Sequence, residues 1–462
     1  TGLRAMHAGA MRLGYQAGTI VVTEVTDTDF LPDALQWDDR SRCHRARACD
    51  YALLVLQLLR NKQPFVDDAR KYEELSAPAE DPRMPRPYQE EALAAWIKTG
   101  RRGVVVLPTG AGKTHLATMA MAERPRSTLV VAPTLDLVRQ WHDLLEARFG
   151  GPIGIVGGGD HSVEPITVTT YDSAYLHMDH LGNRFGLVVF DEVHHLPSEA
   201  YRHAATSCLA PFRLGLTATP ERTDGREATL VDLVGPIVYR KDIVDIRGEF
   251  LADYDIDRRF FDLTPDERDA YEEERALYIG FLRAHAISLA SPDGWGRFLA
   301  ESSRTKEGRR AFQAFRTQRA LAFAASEKFA FIDQLFVEHA NDRMLLFTQD
   351  NATAYRISER CLAPVITHRT RPSERISILR GLAEGRYGAI VTSRVLNEGV
   401  DVPDANVAVI VSGSGSVREH VQRLGRILRK REGKHARLYE LVTAETSEAR
   451  TSDRRREHSA YR

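Results

Sequence analysis

Along the 462-residue chain, hydrophobic patterning changes character several times. From residue 86 to about 245, short apolar runs recur at 103–107, 128–132, 166–170, 187–190 and 213–216, with helix-like segments between them. Such alternation predicts a parallel sheet wrapped by helices. A second series follows at 344–348, 364–367, 389–392, 407–412 and 437–442 and predicts a second lobe of the same kind. Residues 260–335 lie between the two series. They are rich in Glu, Arg, Ala and aromatic residues and poor in β-branched ones, which predicts helices. Before residue 86, the β-branched stretch 18–25 (GTIVVTEV) predicts a strand and the Ala- and Leu-rich stretch 43–60 a helix, so residues 1–75 read as a small α+β unit. Three prolines within 76–85 mark an extended connection, and the polar, charged tail from Thr446 reads as frayed.

Composition narrows the class without naming a chemistry. The length suits two to four domains, and 43% hydrophobic content allows sizeable cores. No apolar run reaches 18 residues and no signal-peptide succession opens the chain, so no membrane partner and a cytoplasmic, prokaryotic location are expected. Four cysteines without a CxxC pair fit a reducing compartment. Cys43, His44 and Cys49 have no second cluster to complete a zinc site. A net charge of −1 excludes a uniformly basic nucleic-acid binder and leaves only local patches for that role.

Two stretches carry phosphate chemistry. Leu107-Pro-Thr-Gly-Ala-Gly-Lys-Thr114 follows a predicted strand and should open a helix, the context a phosphate-binding loop requires. Its glycines let backbone N–H groups close around phosphates, so Thr109, Gly110, Ala111 and Gly112 form the cradle. Lys113 reaches the β- and γ-phosphates, and the Thr114 hydroxyl can ligate Mg²⁺. Leu107 stands where GxxxxGKT has its first glycine. Asp191-Glu-Val-His194 ends the run 187–190, and a carboxylate at the carboxyl end of a parallel strand faces the ligand crevice. Asp191 would hold Mg²⁺ and Glu192 would place the attacking water. His194 and His195 do not have HExxH spacing, and a polar link to a neighbouring motif is the role assigned to His194. In the second lobe, Gln422-Arg-Leu-Gly-Arg-Ile-Leu-Arg429 puts Arg426 and Arg429 on one helix face, suited to charge developing on a γ-phosphate.

Together these stretches resemble the motifs of superfamily 2 helicases, in order, across residues 86–430. Arg86-Pro-Tyr-Gln89 resembles the adenine-reading element, with Gln89 on the base. Ala132-Pro-Thr134 with Val138 to Trp141, Thr217-Ala-Thr219, Phe347-Thr348 and Thr392 to Asp401 fill the remaining positions. The resemblance implies nucleotide contacts at Gly399, Asp401 and Gln422, and coupling through His194, Thr217 and Thr219. Val402-Pro-Asp-Ala-Asn406, Ser412-Gly-Ser-Gly-Ser416 and Ile366-Thr-His-Arg-Thr370 resemble the XPB family in its archaeal and bacterial form, over nearly the whole chain.

That family implies a fold: two RecA-like parallel-sheet lobes, a small N-terminal α+β domain and a helical thumb insertion. The expected boundaries are 1–76 for a damage-recognition-like domain, 77–250 for the first lobe, 251–330 for the thumb, 331–446 for the second lobe and 447–462 for a polar tail. The family also implies an ATP-dependent 3′→5′ DNA helicase or translocase acting in repair or duplex opening, with ATP and Mg²⁺ as cofactors. Its partners would be DNA at forks or single/double-strand junctions and a structure-specific nuclease. Backbone contacts fall on Pro133, Thr134, Thr170, Arg369, Thr392 and Arg394. The thumb contributes Arg304, Arg309, Arg310 and Arg316. Its aromatics read equally well as strand-gripping or as core. The family's Arg-Glu-Asp strand-separating triplet is Arg222-Thr223-Asp224 here, so only Arg222 and Asp224 inherit that role. Rival readings are another superfamily 2 translocase such as a restriction subunit, an RNA helicase, or an ATP-binding scaffold that recruits a nuclease. The DEVH sequence, the lack of room for a nuclease domain, and the intact Lys113, Glu192, Arg426 and Arg429 stand against them.

Overall fold

The computed structural model describes residues 11–25, 34–79, 81–221, 225–246, 253–291, 293–393, 405–413 and 435–455. The chain divides into two compact units, Thr1–Asp242 and Ile243–Arg462.

The first unit holds two sheets. The larger has eight strands in the order Ile237–Arg240, Arg102–Val106, Phe212–Thr217, Leu187–Asp191, Thr128–Ala132, Ile166–Thr170, Ile153–Gly157 and Asp160–His161. All neighbours are parallel except the last hairpin. The three central strands are buried at every position. A parallel sheet covered by helices on both faces demands such unbroken apolar runs. The edge strand Ile237–Arg240 and the closing hairpin of Ile153–Gly157 with Asp160–His161 lack that signature in the sequence.

The smaller sheet joins Gln36–Asp38, Cys43–Arg47, Thr19–Thr23, Met11–Gln16 and Phe65–Asp67. The stretch 43–60, expected to be helical throughout, begins as a strand. Residues 43–47 pair antiparallel with Thr19–Thr23, burying Cys43 and Ala46, and the helix starts only at Tyr51. Cross-strand partners outweigh the weak local preference of Cys-His-Arg-Ala-Arg. This domain is fixed to the larger sheet's helices. Tyr15 Oη lies 2.8 Å from the carbonyl oxygens of Met178 and Ser207, Arg47 bridges Asp50 and Asp232, and Leu209 completes the small domain's core.

The second unit contains a six-stranded, all-parallel sheet in the order Asp253–Phe261, His435–Thr443, Val407–Ile410, Met344–Thr348, Ala389–Ser393 and Val365–Ile366. The edge strand Asp253–Phe261 was masked in the sequence by its charges (DYDIDRRFF). Helices Pro265–Ala284, Gly294–Arg304 and Lys306–Phe323 pack around Tyr278, Phe281 and Phe298. Of the thumb aromatics, Phe298 is fully buried core with Phe312 and Phe315 packed against it, whereas Trp295 is exposed. The tail expected to fray instead forms the helix Ser447–Arg455. Glu448 anchors it by pairing with Lys328 at 2.6 Å, both fully buried.

Candidate active site

The phosphate-binding loop leaves its strand without losing the sheet, because Leu107 N donates to Thr217 O at 3.0 Å. Leu107 is fully buried, which explains why a leucine serves at that position. Gly110 (φ 84°) and Gly112 (φ 82°) take the left-handed conformation that glycine adopts without penalty. A side chain at Gly112 would in addition place its Cβ 2.5 Å from Gln89 Nε2. Helix Lys113–Glu123 begins directly after.

The element 86–89 supports this loop from behind. Pro87 opens the helix Pro87–Lys98. Gln89 Oε1 accepts from Arg86 N at 2.9 Å, and Gln89 Nε2 donates to Ala111 O and Gly112 O at 3.2 and 3.1 Å. Tyr88 Oη donates to Ala111 O at 2.8 Å and accepts from Arg86 Nη1 at the same distance. Gln89 was expected on the adenine base; in this structure its amide is turned to the loop backbone. Tyr88 was not singled out from the sequence.

Opposite the loop, Asp191 ends its strand with a buried carboxylate. Trp141 Nε1 donates to Asp191 Oδ2 at 2.9 Å and Glu192 N to Asp191 Oδ1 at 3.0 Å. Burial pushes the Asp191 carboxyl above its ordinary value, while the Trp141 and Glu192 donors and the Lys113 charge pull it back. Trp141 lies in the stretch 138–141 marked in the sequence. Its role follows from a general need: a buried indole N–H seeks an acceptor. Glu192 stands at φ 47° and ψ 54°, a left-handed conformation that costs a non-glycine residue about 1–2 kcal/mol. That turn brings Glu192 Oε1 to 4.0 Å from Lys113 Nζ, and Lys113 also reaches Leu107 O at 3.4 Å.

From Glu192 a polar line runs into the sheet. His194 Nδ1 lies 3.5 Å from Glu192 Oε2 and 3.0 Å from Thr217 Oγ1. Thr217 Oγ1 in turn donates to Thr219 O at 3.2 Å and accepts from Thr219 N at 3.1 Å. His194 is completely buried. The three residues expected to couple hydrolysis to movement are thus in one chain of contacts with the carboxylate expected to place water.

The same edge of the first sheet presents two capped helices. Thr134, after Pro133, accepts from Leu137 N at 3.3 Å, and Thr170 from Ser173 N at 3.1 Å. Helix N-termini offer N–H groups and positive dipole ends to phosphates. In the second unit, Arg369 is exposed on the loop after Val365–Ile366, its N–H held by Thr367 Oγ1 at 3.2 Å. Thr392 is fully buried. Arg304 pairs with Glu301 at 2.7 Å, Arg310 with Glu274 at 2.6 Å, and Arg309 reaches Ser303 O at 3.3 Å. Arg222, Asp224, Arg394, Gly399, Asp401, Gln422, Arg426 and Arg429 lie outside the described residues.

Three family models match along the chain. Residues 13–69 match the xeroderma pigmentosum group B helicase damage recognition domain, residues 83–222 the res subunit of type III restriction enzymes, and residues 309–460 the ERCC3/RAD25/XPB C-terminal helicase. A "DNA 3'-5' translocase XPB2" of Sulfurisphaera tokodaii is 40% identical, over 93% of this chain and 97% of that one. A "DNA 3'-5' helicase XPB" of Kineococcus radiotolerans is 33% identical over 80% of this chain, and one of Mycobacterium tuberculosis 31% over 79%. The chain spans 62% and 61% of those two bacterial proteins. Among solved structures, the Pyrococcus furiosus Hef helicase domain superposes with a TM-score of 0.51 at 19% identity, over 80% of this chain and 97% of that one, a likeness of fold. The restriction-type match is confined to the first lobe, whereas both flanking models are specific to XPB. The chain belongs to the XPB family of superfamily 2 helicases.

Proposed function

We propose that this chain is an ATP-driven DNA translocase and helicase that moves 3′→5′ and acts at forks or single/double-strand junctions during repair or duplex opening. Family membership supports the activity. The observation that carries the mechanism is the hydrogen-bonded line His194–Thr217–Thr219, which begins 3.5 Å from the Glu192 carboxylate. It ties a strained carboxylate beside Lys113 to a neighbouring strand of the same sheet. A change at the γ-phosphate therefore has a packed, buried route into the lobe.

The residues present fit Mg·ATP. Gly110 and Gly112 hold the left-handed turns that let the loop's N–H groups curl round a phosphate, and the Thr109 hydroxyl is buried without a hydrogen-bond partner among the described residues. Thr114 and Asp191 are the oxygen donors suited to Mg²⁺, which when bound neutralises charge on the β- and γ-phosphates. Lys113 holds those phosphates, and Glu192 orients water and takes its proton. Gln89, Tyr88 and Arg86 keep the loop open to the nucleotide. By family resemblance Arg426 and Arg429 complete the site from the second lobe, with Gln422, Gly399 and Asp401 beside them. Pro133, Thr134, Thr170, Arg369 and Arg394 are assigned to the DNA backbone, and Arg222 and Asp224 to strand separation.

Residues 1–76 are proposed to read DNA lesions, 77–250 to form the first motor lobe, 331–446 with the edge strand Asp253–Phe261 the second, and the helices between Pro265 and Phe323 to serve as the thumb. A structure-specific nuclease is proposed as partner, and the cytoplasm as location. No helix among the described residues is long and apolar enough to cross a membrane.

Lys113→Ala tests the site. DNA-stimulated ATP turnover should fall at least about 10²-fold, the loss typical of removing one preorganised charge from a phosphoryl-transfer site. A variant that hydrolyses ATP as fast as the parent would show the assignment to be wrong. Comparing stimulation by forked DNA, duplex DNA and RNA tests the substrate, and strongest stimulation by RNA would overturn it.

A further inference from the structure

Phe190 pairs with Val131, and Val131 with Thr169, so Asp191, Ala132 and Thr170 stand level at the carboxyl edge of the first sheet. Tyr171 comes next and opens the helix Tyr171–Leu181. Its neighbour Thr170 caps that helix and is the residue assigned to the DNA backbone. Tyr171 turns into the lobe and is only 1% exposed. The side chain passes the intervening strand Thr128–Ala132, and Tyr171 Oη donates to Asp191 O at 2.9 Å. Phe190, His195 and Tyr201 surround the ring, with centroids at 6.4, 5.9 and 5.2 Å.

The accepting carbonyl is not an incidental one. The Asp191 C=O and the Glu192 N–H belong to a single planar peptide unit, so neither turns without the other. Glu192 N donates to Asp191 Oδ1 at 3.0 Å, and the left-handed turn of Glu192 (φ 47°) starts at the same plane. Such a turn persists in a non-glycine residue only where its surroundings hold it. Tyr171 holds its carbonyl end. Rotating the plane would displace the donor to the Asp191 carboxylate and swing Glu192 Oε1 from its place 4.0 Å from Lys113 Nζ. One covalent step, the Thr170–Tyr171 peptide, therefore separates the capped helix end from the hydrogen bond that sets both carboxylates. Trp141, the side-chain donor to Asp191 Oδ2, sits further along its own helix Leu135–Phe149, in the second turn.

We infer that Tyr171 is a positioning residue that reports bound DNA to the ATP site. A DNA phosphate taken up at the helix end of Thr170 fixes the Tyr171 hydroxyl against the Asp191–Glu192 peptide, and the two carboxylates are then held for Mg²⁺ and water. The inference rests on the reading of the chain as a DNA motor and on Thr170 as a backbone contact. It gives that motor an input distinct from the line His194–Thr217–Thr219. That line leaves the strand Leu187–Asp191 toward Phe212–Thr217, whereas Tyr171 arrives from the opposite side, past Thr128–Ala132.

Tyr171→Phe tests it by deleting one oxygen and keeping the packed ring. Tyr201→Phe is the control, since it removes a hydroxyl from the same ring cluster that donates to Asp172 Oδ1 at 2.8 Å. For the full chain and both variants, ATP turnover is measured with and without forked DNA. DNA affinity is measured by fluorescence anisotropy with and without magnesium β,γ-imido-ATP. In Tyr171→Phe the ratio of turnover with saturating DNA to turnover without it should fall about five-fold, the rate equivalent of one ordinary hydrogen bond. The factor by which the nucleotide changes DNA affinity should move toward one, because coupling between two binding sites is reciprocal. DNA affinity without nucleotide should match the parent, and Tyr201→Phe should match it throughout. An unchanged turnover ratio in Tyr171→Phe would overturn the inference, whether turnover stays at the parent's level or falls equally with and without DNA. So would an equal loss of stimulation in Tyr201→Phe, which would assign the effect to the ring cluster. A weaker DNA affinity without nucleotide would also overturn it, by making the hydroxyl part of the DNA contact. Each of these leaves the motor reading standing, because the parent is still stimulated. A parent whose turnover DNA does not raise would remove the motor reading and this inference with it.

Discussion

Each unit buries a charge, and the two do so to opposite ends. In the first, Asp191 sits at the carboxyl edge of the sheet with two neutral N–H donors and Lys113 as its nearby cation. Its raised pKa says that ionised Asp191 is held at a cost to the fold. In the second, Lys328 donates to Glu448 at 2.6 Å, to Val411 O at 3.0 Å and to Ala322 O at 3.3 Å, and Glu448 Oε2 also accepts from Thr443 N at 2.9 Å. That pair fastens the last described helix to its lobe. Buried charge alone therefore does not mark a site. What marks it is charge left poised at a ligand edge and incompletely compensated by its own protein.

The widest contrast is expected from Asp191→Asn. Turnover should fall by at least about 10²-fold, since a metal-holding carboxylate is lost. The same variant, melted in EDTA, should be more stable. An acid with a raised folded-state pKa favours folding while protonated and loses that contribution as pH rises from its ordinary value through the raised one. Asparagine removes the penalty, which is fully present above that window, and gives up one of the two donors' acceptors, worth about 1 kcal/mol. The melting temperature should therefore rise at neutral pH, and the gain should vanish in acid. A lower melting temperature at neutral pH would break the comparison, because Asp191 would then be structural.

Lys328→Met should act in reverse. Stripping one partner from a fully buried pair costs about 3–5 kcal/mol. Chemical denaturation should show that loss, and ATP turnover by the folded fraction should survive it. The double variant Lys328→Met with Glu448→Leu should recover most of the stability, since two apolar side chains leave no orphan charge. A double variant no more stable than Lys328→Met would mean that the pair does something beyond holding the helix.

This contrast also explains how far the sequence could be read. The two sheets were legible because buried parallel strands such as 128–132 and 187–190 must be apolar throughout. Edge strands escaped: Asp253–Phe261 needs only one covered face and carries five charged residues among nine. The strand 43–47 escaped because one of its partners, Thr19–Thr23, lies some twenty residues away and the other, Gln36–Asp38, is only three residues long. Lys113, Asp191, Glu192, His194, Thr217 and Thr219 were legible as motif positions, and the structure brings them together. Their supports were less so. No spacing rule pairs Trp141 with a carboxylate fifty residues on, or links the Gln89 amide to the carbonyls of the loop. The ordered tail was illegible for the same reason, since the lysine that pairs with Glu448 lies 120 residues earlier.

The smallest effect sharpens the comparison most, because it changes one hydrogen bond. Trp141→Phe keeps an aromatic ring and removes the indole N–H that holds Asp191 Oδ2 at 2.9 Å. That donor favours the ionised carboxylate, so its loss moves the Asp191 pKa further up. Above the shifted value, the variant buries a charge with one donor fewer and should lose about 1–3 kcal/mol against the parent. Below it, both proteins carry a neutral acid and the difference should shrink. Melting curves in EDTA from acid to neutral pH would therefore diverge as pH rises. Turnover should fall about ten-fold or less, since the phenyl ring still packs but no longer orients the carboxylate. Parallel melting curves, displaced equally at every pH, would instead mean that Trp141 stabilises by packing alone. Asp191 would then be poised by Lys113 and Glu192 without it.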